Sequence, residues 1–178
     1  MVIRGKNLYG TTESYLNNSL NKQICIFISH ISKDKEAAQK ISEFIMSQGY
    51  NVYLDINDEQ LQRAVESENA HAITTCIENG VAKSSHIMCI LSEKTKGSWW
   101  VPYEVGFGKK SNKIISTLSL KNINDIPPYL KIVENIEGIV SLHKYLNKLG
   151  KGSAQYELAQ ESSYFTTHPL DPYLKNYK

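Results

Sequence analysis

Two short, unbroken apolar runs, Ile24-Cys25-Ile26-Phe27-Ile28 and Ile87-Met88-Cys89-Ile90-Leu91, constrain this 178-residue chain more than anything else in it. A strand with one wet face alternates apolar and polar residues. A run with no polar member needs cover on both faces, which is the condition of a central strand in a parallel sheet. Parallel strands need long crossovers, so helices should separate them.

The rest of the chain supplies those helices. Ala37, Ala38, Ile41, Phe44 and Ile45 recur at helical spacing, with Ser32 placed to cap the start and Gly49 placed just past the end. Val52-Tyr53-Leu54 predicts a second strand ending at Asp55, and the acidic, polar residues 56–70 predict a long loop. Ala72, Ile73, Cys76, Ile77 and Val81 outline the next helix. After the strand at Ile87 to Leu91, residues 92–98 read as a loop and a helix follows to about Lys109. Ile114 to Leu118 is a fourth strand, and Pro127-Pro128 precedes a short helical piece at Tyr129 to Val133. An edge strand near Ile136 to Val140 and a helix from Ser141 to Leu149 complete an α/β pattern of about five parallel strands with helices on both faces. Residues 1–22 read as a polar N-terminal extension and 23–149 as the domain. In 150–178, a segment beyond a Gly150 to Gly152 hinge, Pro169 and Pro172 predict an extended tail.

Charge and composition exclude several classes. Twenty Lys and Arg stand against 18 Asp and Glu, scattered except for Lys109-Lys110, which disfavours nucleic acid as a partner. Met1 to Asn7 lacks the apolar core of a signal peptide, and no apolar run approaches membrane-spanning length. Cys25, Cys76 and Cys89 are odd in number, far apart and set among apolar residues, with no zinc spacing. They are expected to be buried, reduced thiols of a cytoplasmic protein with no metal site and no membrane partner.

Ligands of open parallel sheets bind at the carboxyl ends of the strands. The elements reaching that edge are Ser29-His30, Asp55 with its loop, and Ser92 to Glu104. The sharpest feature is Ser98-Trp99-Trp100-Val101-Pro102-Tyr103-Glu104. Pro102 requires a helix start close by, and Trp100 and Glu104, four apart, can share a face. An aromatic platform beside a carboxylate suits a flat base with a ribose, and a helix N-terminus favours the charged carboxylate. The same residues also describe a tryptophan plugging the core edge and an ordinary first-turn acid. Gly106-Phe107-Gly108-Lys109-Lys110-Ser111 lacks the order of a phosphate loop and ends a helix, so its glycines are expected to permit close packing. Asp55 matches a phospho-acceptor only by position, because Ser29-His30 stands where a magnesium-binding acid pair would be needed.

Taken in order, Ile26-Phe27-Ile28-Ser29-His30, Ser32-Lys33-Asp34, Tyr53-Leu54-Asp55, Ile90-Leu91-Ser92 and the Ser-x-Trp-x-x-x-Glu pattern of Ser98, Trp100 and Glu104 resemble a Toll/interleukin-1 receptor (TIR) domain over residues 23–149. The resemblance implies a flavodoxin-like fold and, for the bacterial NAD-cleaving type, release of nicotinamide with an ADP-ribose-derived, in some members cyclic, signalling nucleotide. It implies Glu104 as the catalytic residue, with Ser29, His30, Asp55, Ser98 and Trp100 lining the substrate site. NAD is then the substrate and no cofactor is implied. Residues 56–70 become an assembly loop for self-association. The context implied is antiphage defence such as Thoeris, and with no fused effector domain in the chain the product is expected to activate a separate effector protein. The resemblance departs at residues 56–70, which lack the usual glycine, and at His30, where an aromatic residue is common. A non-catalytic assembly scaffold and a nucleoside deoxyribosyltransferase-like enzyme are the alternative readings.

Overall fold

The apolar runs become neighbouring strands at the centre of one sheet. The computed structural model describes residues 4–8, 24–54, 59–150 and 167–176. Its strands are β1 (Cys25–Ser29), β2 (Asn51–Tyr53), β3 (His86–Leu91), β4 (Ile114–Ser119) and β5 (Glu134–Glu137). All pairings are parallel and the order is β2-β1-β3-β4-β5. This is the flavodoxin-like order, and it puts the switch point between β1 and β3. The helices are α1 (Lys35–Ser47), α2 (Glu59–Glu66), α3 (Ala70–Lys83), α4 (Trp100–Lys110) and α5 (Gly138–Leu149).

Alternate side chains of each strand serve different layers. Ile26, Ile28, Met88, Ile90 and Leu118 join a core with Ala38, Ile41 and Ile45 of α1 and Leu142 and Leu146 of α5. Cys25, Phe27 and Ile87 face the other way, onto Ile73, Ile77 and Val81 of α3. Cys89 and Leu91 meet Val101 and Val105 of α4. Helix α4 lies close because Gly108 sits against Ile87, whose side chain would collide with any Cβ there; Gly106 faces open space.

Several expectations from sequence are corrected. Ser32 does not cap α1: a 3-10 turn at Ser32–Asp34 intervenes, and the helix starts at Lys35 without a side-chain cap. Gly49 does take the left-handed conformation just after α1, at φ 91°. Residues 56–70 are not a loop throughout, because Glu59–Glu66 form α2, with Ala64 buried in the α3 core. Asn69 then caps α3, its side chain accepting from the Ala72 amide at 3.0 Å. Residues 93–97 wind into a 3-10 helix, the piece after Pro127 is a 3-10 turn at Pro128–Leu130, and β5 and α5 start earlier than their apolar patterns suggest.

Residues flanking the domain also pack on it. Residues 4–8 run along the outer edge of β2, where the Val52 amide donates to Lys6 O (2.9 Å) and the Leu8 amide to Val52 O (2.8 Å). This covers an edge that would otherwise present unpaired backbone. The expected extended tail gives way over 167–176 to a turn that seats Leu170 and Leu174, both fully buried, in the α1–α5 core. Their four-residue spacing puts both on one side of the turn. Lys121 and Ile139 donate backbone hydrogen bonds to Tyr173 O and Lys175 O, both 2.8 Å, and the Tyr173 hydroxyl donates to Glu36 (2.6 Å).

His168 anchors this segment. Its ring meets Phe44 edge-on at 5.1 Å, His143 does the same, and the two imidazoles lie 5.7 Å apart. His168 Nδ1 accepts the Leu170 amide at 3.1 Å, a bond that needs an unprotonated nitrogen. Burial lowers both pKa values; the neighbouring His168 adds to the shift at His143, while Asp171 opposes it at His168. Burial lowers His86 as well. A histidine depressed in the folded state binds fewer protons there than in the unfolded chain, so its stabilising effect is complete above about pH 6.5 and is lost as pH falls below that. Urea melts between about pH 7.5 and 5.5 should show falling stability, and His168→Gln should reduce that slope while His86 and His143 retain part of it.

Candidate active site

The switch point lies at the carboxyl ends of β1 and β3, where open parallel sheets form their ligand crevice, and the side chains there are unlike the rest of the sheet. Ser29, the last residue of β1, is paired in register with Cys89 of β3, which is paired with Thr117 of β4, which is paired with Asn135 of β5. Registered residues of parallel strands share a face, so a row of small polar side chains crosses four strands on the α4 side. The Ser29 hydroxyl lies 3.8 Å from Cys89 Sγ, and the Thr117 hydroxyl donates to the Asn135 side-chain carbonyl.

Helix α4 lowers Glu104 onto this row. Glu104 is only 7% exposed, and the buried Ser29 hydroxyl donates to its Oε2. Glu104 is the fifth residue of α4, beyond the first turn, so the expected first-turn position beside the helix dipole is corrected. A hydrogen bond to a charged group contributes on the order of 1.5–3 kcal/mol, part of what a buried carboxylate requires. The site's other groups register its charge. Burial, opposed by the Ser29 hydrogen bond and reinforced by Glu104, pushes the Cys89 thiol up to about 12. Burial, then Cys89 and Glu104, push the Tyr129 phenol up to about 12. Cys89 is therefore a protonated thiol, unsuited to act as a nucleophile at neutral pH. Cys25 is likewise pushed up to about 11 by burial, whereas Cys76 is half-buried, contrary to the expectation that all three are buried.

Two loops frame the crevice and are tied together. The Ser92 hydroxyl donates to the buried carboxylate of Asp34 at 2.6 Å and also accepts the Lys94 amide at 3.2 Å. The bond holds the turn after β1 to the turn after β3, on either side of the switch point.

Of the residues singled out from sequence, Ser29 and Glu104 meet. His30 is half-buried at the mouth, its Nδ1–H donating to Ile28 O at 3.2 Å. Ser98 accepts the Val101 amide at 3.2 Å and so secures the start of α4. Trp100 packs on the α3 side in a stripe with Tyr103 and Phe107, edge-on to Tyr103 at 6.2 Å. Its neighbour Trp99 is 90% exposed. Asp55 lies outside the described residues. Sequence reasoning missed Tyr129, Thr117, Asn135 and the Asp34–Ser92 tie; for Thr117, Asn135 and Ser92 the available signal was a polar residue placed inside or just after a strand, and for Tyr129 there was none. Among the described residues, no group of three or more His, Cys, Asp or Glu could hold a metal ion, and no helix is long and apolar enough to cross a membrane.

A family model described as TIR domain matches residues 26–147, which include both Ser29 and Glu104. The chain belongs to the TIR domain family. This TIR domain is 30% identical over 96 residues to the Bacillus cereus (strain MSX-D12) protein named "Probable 3' cyclic ADP-D-ribose synthase ThsB'". The match takes in 53% of this chain and 48% of that protein, so the chain spans about half the length of this curated relative. The TIR domain of the Toll-related receptor TRR-2 from Hydra magnipapillata superposes with a TM-score of 0.48 at 14% identity, over 62% of this chain and 82% of that one.

The two adjacent tryptophans of this TIR domain should behave oppositely on truncation. Trp99→Ala should leave the urea midpoint unchanged. Trp100→Ala should cost about 2–3 kcal/mol, below the usual range for a fully buried aromatic because Trp100 is only half-buried. Equilibrium unfolding of the two variants side by side checks this.

Proposed function

We propose that this TIR domain cleaves NAD at the nicotinamide–ribose bond, with Glu104 as the catalytic residue, and yields a nucleotide of the ADP-ribose class. The observation that carries the reading is the buried Glu104 carboxylate held by the Ser29 hydroxyl at the switch-point crevice. The name of the Bacillus cereus relative supports it.

The chemistry suits a single acid. As the glycosidic bond breaks, its electron pair goes to the nicotinamide ring, which departs neutral from a cationic state. Glycosidases ordinarily need a second carboxyl group to protonate a leaving oxygen, and here none is needed. Positive charge develops at the anomeric carbon, and a preorganised carboxylate in a water-poor site stabilises it as it forms. Water, or a hydroxyl of the same ADP-ribosyl unit, then adds to that carbon and gives up its proton; the second route closes a ring. Ser29 orients the carboxylate. His30, Ser98, Trp100 and Asp55 belong to the proposed substrate site. The released nucleotide would act on a separate effector protein, the arrangement of a bacterial antiphage signalling system in the cytoplasm.

Self-association belongs to the same proposal. The acidic exposed residues Glu66, at the end of α2, and Glu68, just beyond it, are complementary between copies to the exposed pair Lys109-Lys110 at the end of α4. Exposed charges of this kind are screened over about 8–10 Å at moderate ionic strength, so association should weaken with salt.

Glu104→Gln should reduce nicotinamide release by about a hundredfold or more while leaving the melting curve in place. Near-normal release from a folded variant would refute the assignment. Specific activity at low salt should rise with protein concentration in a dilution series followed by light scattering. A wild-type protein that releases no nicotinamide at any concentration would favour the assembly scaffold.

A further inference from the structure

The polar row and Glu104 leave two hydroxyls in the same layer, those of Ser119 and Tyr129, without a hydrogen-bonding role among the described residues. Ser119 ends β4 on the same face as Thr117, paired in register with Leu91, and is 95% buried. Its Oγ has no hydrogen-bond partner. Burying a hydroxyl unpaired costs about 1–3 kcal/mol, so it calls for an explanation. Tyr129 sits in the turn Pro128–Leu130, with its ring packed against the cluster of Cys89, Leu91, Val101 and Val105. These residues surround Glu104, because Val101 and Val105 flank it on α4 and Cys89 belongs to the row beneath it. Among the described residues the Tyr129 hydroxyl has no hydrogen-bond partner, although the charge of Glu104 reaches it. The ring is accounted for by packing, and the hydroxyl is not.

We propose that Tyr129 and Ser119 form a hydroxyl pair that binds the ribose being cleaved, with the Tyr129 phenol donating to a ribose hydroxyl oxygen and Ser119 completing its partners. The proposal rests on the NAD-cleaving reading and names the part of the substrate that this wall recognises. Burial and the neighbouring negative charge keep the phenol protonated far above neutral pH, so it remains a donor over the whole working range. A neutral donor beside Glu104 can hold a sugar oxygen without cancelling the charge that faces the anomeric carbon. Pro127 and Pro128 stiffen the turn and limit the freedom lost when the phenol is used.

The experiment is steady-state nicotinamide release from NAD by wild type, Tyr129→Phe and Ser119→Ala. Tyr129→Phe keeps the ring and removes only the hydroxyl, and Ser119→Ala removes a hydroxyl with no partner, so both should fold with melting points at or slightly above wild type. Each should raise KM about five- to tenfold, the value of one hydrogen bond, with kcat within about twofold. Inhibition by free nicotinamide, which carries no ribose, should be unchanged in both. A wild-type KM in Tyr129→Phe overturns the proposal and leaves NAD cleavage standing. A parallel loss of nicotinamide inhibition overturns the ribose assignment by placing the phenol on the carboxamide. Absence of nicotinamide release from wild type overturns the NAD reading and this proposal with it.

Discussion

An ionisable carboxylate set inside a helix–sheet interface is the demand that the rest of this structure answers. Glu104 can lie there only if α4 rests close on the sheet and the sheet beneath offers something other than hydrocarbon. Gly108 against Ile87 provides the close approach, two turns from the end of the helix where Ser98 secures the start. The row Ser29, Cys89, Thr117 and Asn135 provides the polar floor. None of these residues is large, and the space a Leu or Ile would fill on β1 or β3 is the space the carboxylate occupies.

The other face of the sheet is built to a different rule. Toward α1 and α5 the strands present Ile26, Ile28, Met88, Ile90 and Leu118, and Leu170 and Leu174 are pressed in from the far end of the chain. Residues 4–8 close the β2 edge. The largest apolar cluster thus lies on this face, while the layer beneath α4 carries polar groups that burial penalises. Active sites are commonly placed where local rules of folding are broken, with the compensation made elsewhere in the domain. Here the break and the compensation lie on opposite faces of the same strands, separated by the alternation of side chains along β1 and β3.

Period and punctuation made most of the architecture legible. The two apolar runs could only be central parallel strands, and Gly49 closed α1 where its spacing required. The misses share one physical cause: residues, polar or apolar, whose partners are distant in sequence. Ser32 looked like a cap, but Asp34 two residues on is committed to Ser92 and the helix starts later. The acids of 56–70 read as loop because their polarity masked the buried Ala64 of α2. Pro169 and Pro172 implied an extended tail, yet what decides the conformation is the pair of leucines between and beyond them, which find a core that no local pattern reveals. At the site, Ser29 was legible from its place at a strand end and Glu104 from the Ser-Trp-Glu pattern around the start of α4, although it lies one residue beyond the first turn. Tyr129 was not, because nothing in a Pro-Pro-Tyr turn says which layer its ring will enter.

The electrostatic character of the crevice follows from the same placement. Three groups around Glu104, the Ser29 hydroxyl, the Cys89 thiol and the Tyr129 phenol, are neutral at physiological pH, and the last two are held so by burial and by Glu104 itself. A hydroxyl or thiol can orient a carboxylate, but a lysine or arginine in its place would also neutralise it. Neutral groups at these three positions take nothing from the carboxylate's charge, and the low polarisability of a buried site strengthens the interactions it makes. For the proposed reaction this matters at one moment, when positive charge appears on the ribose and must be met by dipoles and charge already in position. In the proposed reaction the buried serine at the end of β1 would belong to the chemistry as much as to the fold, because its hydrogen bond orients the carboxylate before substrate arrives.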